Sequence, residues 1–404
     1  MAAALLVPVA CGSDSSRGGK VQGNTLTVFS SLPLQGPNAE RGRSIVNAEK
    51  LALRDAGGKA GDFTVNFASA DDATAGDGEP GWDPDRTAEN ARKAVENQRT
   101  IAYIGDFDSG ATAVSLPISN EAGFVQVSPG SSAVGLTKLV PGAEAGEPDK
   151  YYPSGDRTFA RVVPADDVQA SAAADWARRL GVKTAFLLGD RTAEGDGRME
   201  LFRVAAKDNG GPTEVGTDRA DPRADNYRDL AKKIAKTKPD AIYFGGGEDS
   251  NAVRLWHDLH DANPNALLIG SDGLLVKSFY SALGDAADKT YLTSSAQDPK
   301  QLPPRGKSFV ERYVRTYGEV PDPFAAYGYT TMALLLDAIE RAGSQGNQRD
   351  DVIRETFDTS HFRSPVGTFS IDDNGDTSLK AIAGYRIRNG KPVFTQPLQG
   401  QPKG

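Results

Sequence analysis

Short hydrophobic runs alternate with amphipathic segments along most of the chain. The first runs predict strands at Leu26–Phe29, Phe63–Phe67, Ile101–Ile104 and Phe124–Val127, with helices at Ile45–Arg54 and Arg86–Glu96 between them. A second series predicts strands at Phe159–Val163, Thr184–Leu188, Ala241–Phe244 and Leu267–Ile269, and helices at Ala170–Leu180, Leu201–Asn209, Tyr227–Ala235 and Ala252–Leu259. Two successive series of strand and helix predict an α/β protein with two doubly wound parallel sheets.

The last third of the chain is richer in helices. The spacing of apolar residues predicts helices at Phe309–Tyr317, Ala326–Ala342 and Val352–Phe357, followed by hairpin-like strands around Gly367–Ile371 and Ala381–Ile387. Two stretches rich in Gly, Pro, Asp and Glu, Ala73–Pro84 and Pro141–Gly155, are predicted to be loops.

Length and composition exclude several classes of protein. The 404 residues suit two domains of ordinary size, and no apolar run is long enough for a membrane-spanning helix. A net charge of −8 repels phosphate backbones, so we expect no nucleic-acid partner. One cysteine and three histidines leave little material for metal sites or for Cys/His catalysis. We therefore expect no metal, no cofactor and no enzymatic activity.

The single cysteine, Cys11, follows a short run of small apolar residues and precedes a polar stretch, Gly12–Ser16. This pattern is similar to a bacterial lipoprotein signal, in which the cysteine becomes the lipidated N-terminus. It predicts a signal and flexible tether over residues 1–24. We therefore expect the protein to lie outside the cytoplasmic membrane, attached to it only through the lipid on Cys11. The alternative is a frayed N-terminus in which the cysteine has no role.

Small and hydroxyl-bearing residues follow four of the predicted strands, at Gly105–Thr112, Ser128–Ser132, Gly245–Asp249 and Gly270–Gly273. Ligands of open α/β sheets bind beyond the carboxyl ends of the strands. Ser109 can cap the helix that follows it, and the N–H groups there can hold an anion. Asp272 offers a carboxylate to a cation, so the two regions together suit a zwitterion. Alternatively, Ser109 and Ser132 are only helix caps and Asp272 is only a turn former.

Several segments resemble the branched-chain amino acid binding proteins, the Leu/Ile/Val receptors of ABC importers with the type I periplasmic-binding-protein fold. The resemblance extends from Leu26 to Phe394. It rests on these segments, in order: Pro33–Pro37 with Gly42, Ala70–Asp72, Ile104–Ser109, Ser128–Pro129, Phe159–Arg161 with Asp166 and Gln169, Pro239–Ala241 with Gly245–Gly246, Gly270–Gly273, and Phe324–Tyr329.

The resemblance implies two lobes joined by three crossovers that form a hinge. By that analogy, lobe one comprises residues 25–157 and 294–362, lobe two comprises residues 158–293 and 363–395, and residues 396–404 form a tail. The chain would then cross between the lobes near Arg157, Thr293 and Arg363.

The resemblance also implies which residues hold an α-amino acid group. Ser109 and Ser132 would donate hydrogen bonds to the ligand carboxylate, Gly130 would supply backbone contacts, and Asp272 would bind the ammonium group. Each of these positions retains suitable chemistry in this sequence.

The side-chain pocket departs from the family pattern. Three tyrosines line it in the amino acid receptors, whereas the flanking glycines place Arg41, Glu194 and Gly247 at those positions here. Because an unpaired buried charge costs more than an apolar pocket gains, a plain Leu, Ile or Val ligand is not expected. We expect a larger or polar tail, with Arg41 and Glu194 either pairing across the cleft or contacting that tail. Alternatively, both side chains point to solvent.

The resemblance implies a monomeric receptor that delivers a small molecule, an amino acid or a derivative, to an ABC permease. The alternative is a sensor that presents the bound ligand to a membrane partner. Three other motifs are set aside: Gly306-Lys307-Ser308 lacks the first glycine of a phosphate-binding loop, His257 and His260 lack a third metal ligand, and Asp372–Asp376 is predicted to be a hairpin turn rather than a calcium loop.

Overall fold

A computed structural model describes residues 19–74, 81–141 and 143–402. The chain first forms six strands and three helices. These are β1 (Thr25–Leu32), α1 (Ala39–Asp55), β2 (Lys59–Ala60), β3 (Phe63–Asp71), α2 (Pro84–Glu96), β4 (Thr100–Ile104), α3 (Ser109–Glu121), β5 (Val125–Ser128) and β6 (Phe159–Arg161).

A second series of alternating helices and strands follows. It comprises α4 (Asp166–Arg179), β7 (Thr184–Gly189), α5 (Ala193–Asp208), β8 (Thr213–Arg219), α6 (Arg228–Ala235), β9 (Ala241–Phe244), α7 (Ala252–Ala262), β10 (Leu267–Gly270), α8 (Lys277–Ser281) and β11 (Thr290–Ser294). The remaining elements are α9 (Pro304–Tyr317), α10 (Ala325–Arg341), α11 (Arg349–Phe357), β12 (Phe362–Ser364), β13 (Gly367–Phe369), β14 (Ala381–Arg388) and β15 (Lys391–Gln399).

The first six strands form one sheet in the order β2-β3-β1-β4-β5-β6, in which only the short β2 runs antiparallel to its neighbour. Every residue of β4 is buried, because helices cover both faces of the sheet. Helices α1 and α10 pack against the sheet through Ile45, Leu51, Leu335 and Ile339. We call this sheet with its helices lobe one.

The second sheet has seven strands in the order β15-β14-β11-β10-β9-β7-β8. Strands β7 to β11 are parallel, and β14 and β15 continue the sheet as an antiparallel hairpin. Separate apolar clusters cover the two faces, one around Trp256 and the other around Trp176. We call this sheet with its helices lobe two. The predicted α/β class with two parallel-sheet lobes is confirmed.

The chain changes sheets later than predicted at two of the three crossings. Strand β6 pairs with β5 and so belongs to the sheet of lobe one, although the sequence placed it in lobe two. The hairpin of β12 and β13 buries Val366 and Phe369 in the core of lobe one. The chain therefore crosses after Val163 and again near Lys380, rather than near Arg157 and Arg363. The crossing predicted near Thr293 lies within two residues of the end of β11.

The C-terminal region contains the predicted hairpin-like strands and extends beyond them. The strands around Gly367 and Ala381 belong to two antiparallel hairpins, in which β13 pairs with β12 and β14 pairs with β15. Strand β15 extends to Gln399, so part of the predicted tail 396–404 is a strand of lobe two.

The motifs that were set aside have ordinary structural roles. Asp372–Asp376 forms the predicted turn, in which Gly375 donates its N–H to the Asp372 carbonyl. Gly306-Lys307-Ser308 lies inside helix α9 rather than in a loop. None of the helices in the described part of the chain is long and apolar enough to span a membrane. The predicted lipidation site, Cys11, lies outside the described residues.

Candidate functional site

A cavity of about 420 Å³ lies between the lobes, at the carboxyl ends of the parallel strands. Its size is within the usual range for small-molecule sites. The seven predicted ligand-site residues all line this cavity: Arg41, Ser109, Gly130, Ser132, Glu194, Gly247 and Asp272.

Helix α3 begins at the lobe-one wall of this cavity. Asp108 occupies the N-cap position and Ser109 is the first helical residue, so Ser109 does not cap the helix as the sequence suggested. The Asp108 side chain makes no capping hydrogen bond, and the first N–H groups of a helix have no partner within it. The Ser109 Oγ accepts a hydrogen bond from the Ala133 N–H at 3.1 Å. This bond leaves the hydroxyl hydrogen of Ser109 free to donate.

The loop after β5 supplies a second hydroxyl. Ser132 is buried, and its Oγ has no hydrogen-bond partner among the described residues. Nearby, Arg161 is fully buried and donates from Nη1 to the carbonyl oxygens of Ser131 and Ala133, at 3.1 and 2.8 Å. Its Nε lies 2.8 Å from Asp376 Oδ1. This ion pair fixes the loop that carries Ser132.

Gly130 packs closely against Phe107. Its N–H donates to Ser128 Oγ at 3.1 Å, and the expected backbone contacts between Gly130 and a ligand stay a prediction. A Cβ at this position would lie 2.4 Å from Cδ2 of Phe107. The Phe107 ring packs edge-on against Phe324, with the ring centroids 5.0 Å apart.

Asp272 faces this wall from lobe two, just after β10. The residue is only 6% exposed, and its Oδ2 accepts hydrogen bonds from the N–H and Oγ of Ser295, at 2.9 and 2.7 Å. These bonds orient the carboxylate, and Oδ1 has no partner among the described residues. A buried carboxylate with one open oxygen suits a ligand cation.

Arg41 reaches across the cleft, but not to Glu194. Its Nη2 donates to the carbonyl of Leu275 in lobe two at 3.0 Å, and its Nε lies 3.5 Å from Asp322 Oδ2 in lobe one. The guanidinium also lies over the rings of Phe107 and Phe324, 5.3 and 5.1 Å from their centroids. Glu194 is paired with Arg198 one turn later on its own helix. The predicted Arg41–Glu194 pair is therefore not formed. The alternative that both side chains point to solvent is also wrong, because the Arg41 side chain is only 11% exposed, although that of Glu194 is 35% exposed.

Sequence reasoning missed Arg198, which organises the lobe-two wall. It contacts Glu194, its Nε lies 3.3 Å from Asp166 Oδ2, and its Nη1 donates to the Gly245 carbonyl at 3.2 Å. The helix was predicted only over Leu201–Asn209, whereas α5 begins at Ala193, so the four-residue spacing of Glu194 and Arg198 was not recognised as a helical pair.

Carboxylates outnumber cations along the cavity. Apart from Arg41 and Arg198, no basic side chain lines it within the described ranges. The acidic lining residues are Asp108, Glu144, Glu147, Asp166, Asp190, Glu194, Glu248, Asp249 and Asp272. Asp190 is satisfied by neutral donors, Thr192 and Ser250, while Glu144 and Glu147 lie beside Lys150.

Burial and mutual repulsion raise the pKa values of several carboxyl groups that line the cavity. Burial, with the nearby carboxylates of Glu194 and Asp249, raises the pKa of Asp108 to about 7. Burial also raises the pKa of Glu194, and the Arg198 guanidinium opposes that rise. Burial raises the pKa of Asp249 as well. The cavity thus holds negative charge that the protein only partly compensates.

Comparison with known proteins agrees with this architecture. The family described as "Periplasmic binding protein" matches residues 28–391. The Leu/Ile/Val-binding protein BraC3 of Rhizobium johnstonii is 28% identical over 378 residues, covering 92% of this chain and 94% of that protein.

Two solved structures share the fold. A leucine binding protein, LivK, from Thermotoga maritima has a TM-score of 0.77 and 23% identity, covering 93% of this chain and 99% of its own. A solute binding protein of an ABC transporter from R. palustris, in complex with benzoate, has a TM-score of 0.71 and 21% identity, covering 94% and 98%. The resemblance seen in the sequence is confirmed, and the chain belongs to the periplasmic binding protein family.

Proposed function

We propose that this protein is the extracytoplasmic solute receptor of an ABC importer and that it binds the α-amino acid group of a small molecule between its lobes. The relatives named as Leu/Ile/Val-binding proteins support an amino acid ligand. In this proposal Cys11 carries the lipid that holds the receptor at the membrane surface.

The observation that carries the proposal is the pairing of opposite chemistries across one cavity. On lobe one, the Ser109 and Ser132 hydroxyls and the start of α3 can donate to a carboxylate. On lobe two, the open Oδ1 of Asp272 can accept from an ammonium group. A zwitterion bound in this orientation satisfies both walls, which neither a simple carboxylic acid nor a simple amine does.

Binding would proceed by hinge closure without chemistry. The ligand carboxylate first joins lobe one, and lobe two then closes and brings Asp272 to the ammonium group. Arg41 stabilises the closed arrangement through the Leu275 carbonyl. Closed and open forms present different surfaces, so a permease can select the loaded receptor by differential affinity.

A ligand screen by thermal shift tests this function. The purified full chain is unfolded and refolded to release any carried ligand, then heated with L-amino acids, their N-acetyl forms, their amides and aromatic acids. A ligand at a thousand times its Kd adds about 4 kcal/mol to stability. We expect a shift from at least one free amino acid and none from its blocked forms. Equal shifts from the N-acetyl form, or a response to aromatic acids alone, would contradict the proposal.

A further inference from the structure

Carboxylates from both lobes line the cavity beside Asp272. Asp108 lies at the start of α3 in lobe one, and Asp166, Glu194 and Asp249 lie in lobe two. Asp108 from lobe one and Glu194 and Asp249 from lobe two line the same cavity, so carboxylates of the two lobes share one cleft. Glu194 is one of the residues that the resemblance assigns to the pocket for the ligand side chain.

The two arginines of the cavity do not neutralise these groups. Arg198 is shared between Glu194, Asp166 and the Gly245 carbonyl, so one guanidinium serves two carboxylates. Arg41 is held by Asp322 and the Leu275 carbonyl. Both guanidinium groups therefore already bind carboxylates and carbonyl oxygens of the protein.

Two carboxylates keep an unused oxygen. Asp166 is 3% exposed, lines the cavity, and its Oδ1 has no hydrogen-bond partner within the described residues. The Oδ2 of Asp108 is likewise buried and has no partner there. A buried carboxylate oxygen without a donor is costly, so this wall is completed by a donor that arrives with the ligand.

We propose that the ligand carries a second positive charge at the far end of its side chain, held between Asp108 of lobe one and Glu194 and Asp249 of lobe two. The ligand class is then a basic α-amino acid, with an ammonium or guanidinium tail. This inference rests on the proposed function, because the α-amino acid group positions the tail. Gly247 lets the Asp249 carboxylate approach the backbone, since a Cβ at position 247 would lie 2.8 Å from Asp249 Oδ1. Gly247 stands where the resembling receptors have an aromatic wall.

Other occupants fit less well. Among the described residues, no three His, Cys, Asp or Glu side chains come together as a metal site. An aliphatic or aromatic tail would leave Asp108 Oδ2 and Asp166 Oδ1 without a donor when the lobes close.

Matched ligand pairs test the tail directly. Calorimetry on the refolded full chain at pH 8 compares lysine with 2-aminoheptanoic acid, in which a methyl replaces the side-chain ammonium, and arginine with neutral citrulline. We expect the charged member of at least one pair to bind at least tenfold more tightly. 1,5-Diaminopentane, which lacks the carboxylate of lysine, is expected to bind at least tenfold more weakly than lysine.

Substitutions of single carboxylates test which of them bind the positively charged tail of the ligand. Glu194→Gln and Asp249→Asn are each expected to weaken binding of the preferred basic amino acid at least fivefold and to change binding of its neutral partner less than twofold. Glu311→Gln, on the exposed surface of α9, is the matched control and is expected to change neither. Because Glu194→Gln releases Arg198, its melting temperature is measured alongside, and Asp249→Asn provides the test if that variant does not fold.

The outcomes separate the two proposals. Equal or tighter binding of both neutral partners would overturn the charged tail and leave the amino acid receptor in place. Binding of the diamine as tight as that of lysine would overturn the basic amino acid as the ligand class. If no amino acid binds at all, the proposed function itself fails.

Discussion

Lobe one supplies the cavity with the Ser109 and Ser132 hydroxyls as well as charged side chains, whereas lobe two supplies most of the carboxylates. The donors are the Ser109 and Ser132 hydroxyls and the start of α3, while Asp272, Asp166 and Glu194 face them. Both walls are formed largely by residues that follow parallel strands, so the difference comes from those residues. In the proposed function the two lobes divide recognition by charge, and a ligand with both signs satisfies both walls.

The largest expected effect is at the carboxylate that opposes lobe one. Asp272→Asn removes the negative charge but keeps an oxygen that can accept from Ser295. Loss of a buried charged partner costs about 3 kcal/mol, so we expect amino acid affinity to fall about 100-fold with little change in melting temperature. Asp285→Asn, exposed on the same lobe, is the control for calorimetry. Unchanged affinity in Asp272→Asn would remove lobe two from the head-group site.

Substituting one glycine in each lobe by alanine compares how well the two walls tolerate an added methyl group. Gly130→Ala in lobe one places a methyl 2.4 Å from Phe107, inside a packed ring cluster that includes Phe324. Gly247→Ala in lobe two meets only the Asp249 side chain, at 2.8 Å, which can turn away. We expect Gly130→Ala to weaken binding about 20-fold and Gly247→Ala about twofold, because a packed core resists displacement. Titrations that give the reverse order would show that the Phe107 cluster does not shape the site.

Ser132→Ala tests the neutral donors of lobe one. The Ser132 hydroxyl has no partner in the described part of the protein, so its removal costs only its bond to the ligand. A hydrogen bond to a charged group contributes about 1.5 kcal/mol, which corresponds to about a tenfold loss of affinity without loss of stability. Ser109→Ala is expected to lower the melting temperature as well, because Ser109 also accepts from Ala133. Equal affinities of Ser132→Ala and the parent protein would exclude this hydroxyl.

Arg41 contacts the Leu275 carbonyl of lobe two across the cleft, so Arg41→Gln tests closure of the lobes. The substitution removes the donor to the Leu275 carbonyl and the ion pair with Asp322. Loss of about 1 kcal/mol from the closed form predicts about a fivefold weaker affinity. Small-angle X-ray scattering should show a larger radius of gyration without ligand than in the parent protein. An unchanged scattering profile would show that Arg41 does not hold the cleft.

The smallest expected effect is a dependence of ligand affinity on pH that comes from Asp108. This carboxyl group lies on the lobe-one wall, and its Oδ2 has no hydrogen-bond partner among the described residues. Its pKa is raised to about 7, chiefly by burial, so the carboxyl loses its proton as the pH rises from 6 to 8. The added negative charge should strengthen binding of a basic amino acid about threefold and leave a neutral one unchanged. Asp108→Asn should abolish the difference. Binding of the basic ligand that weakens over this range would contradict the assignment.

The sequence predicted the interior of the fold better than its edges. Strands such as β4 and β9 are short apolar runs, so their burial is visible in the residues. Strands β8 and β15 were missed because they form the two edges of the lobe-two sheet and carry many polar, exposed positions. Strand β11 was also missed, since three of its five residues are Thr or Ser although all are buried.

The candidate site was also predicted only in part from the sequence. Positions on loops after predicted strands were found, because the carboxyl ends of parallel strands share one edge of the sheet. Pairings between distant elements were not found. Arg41 meets Asp322, 281 residues away, and Arg198 meets Asp166 from another helix, and neither contact has a signature in local spacing.

The most direct test of the account is a crystal structure of the protein with the amino acid that gives the largest thermal shift. The account predicts the ligand carboxylate within hydrogen-bond distance of Ser109 Oγ and Ser132 Oγ, and the α-ammonium on Oδ1 of Asp272. A ligand bound with its carboxylate turned towards lobe two, or without contact to Asp272, would contradict the division of charge between the lobes.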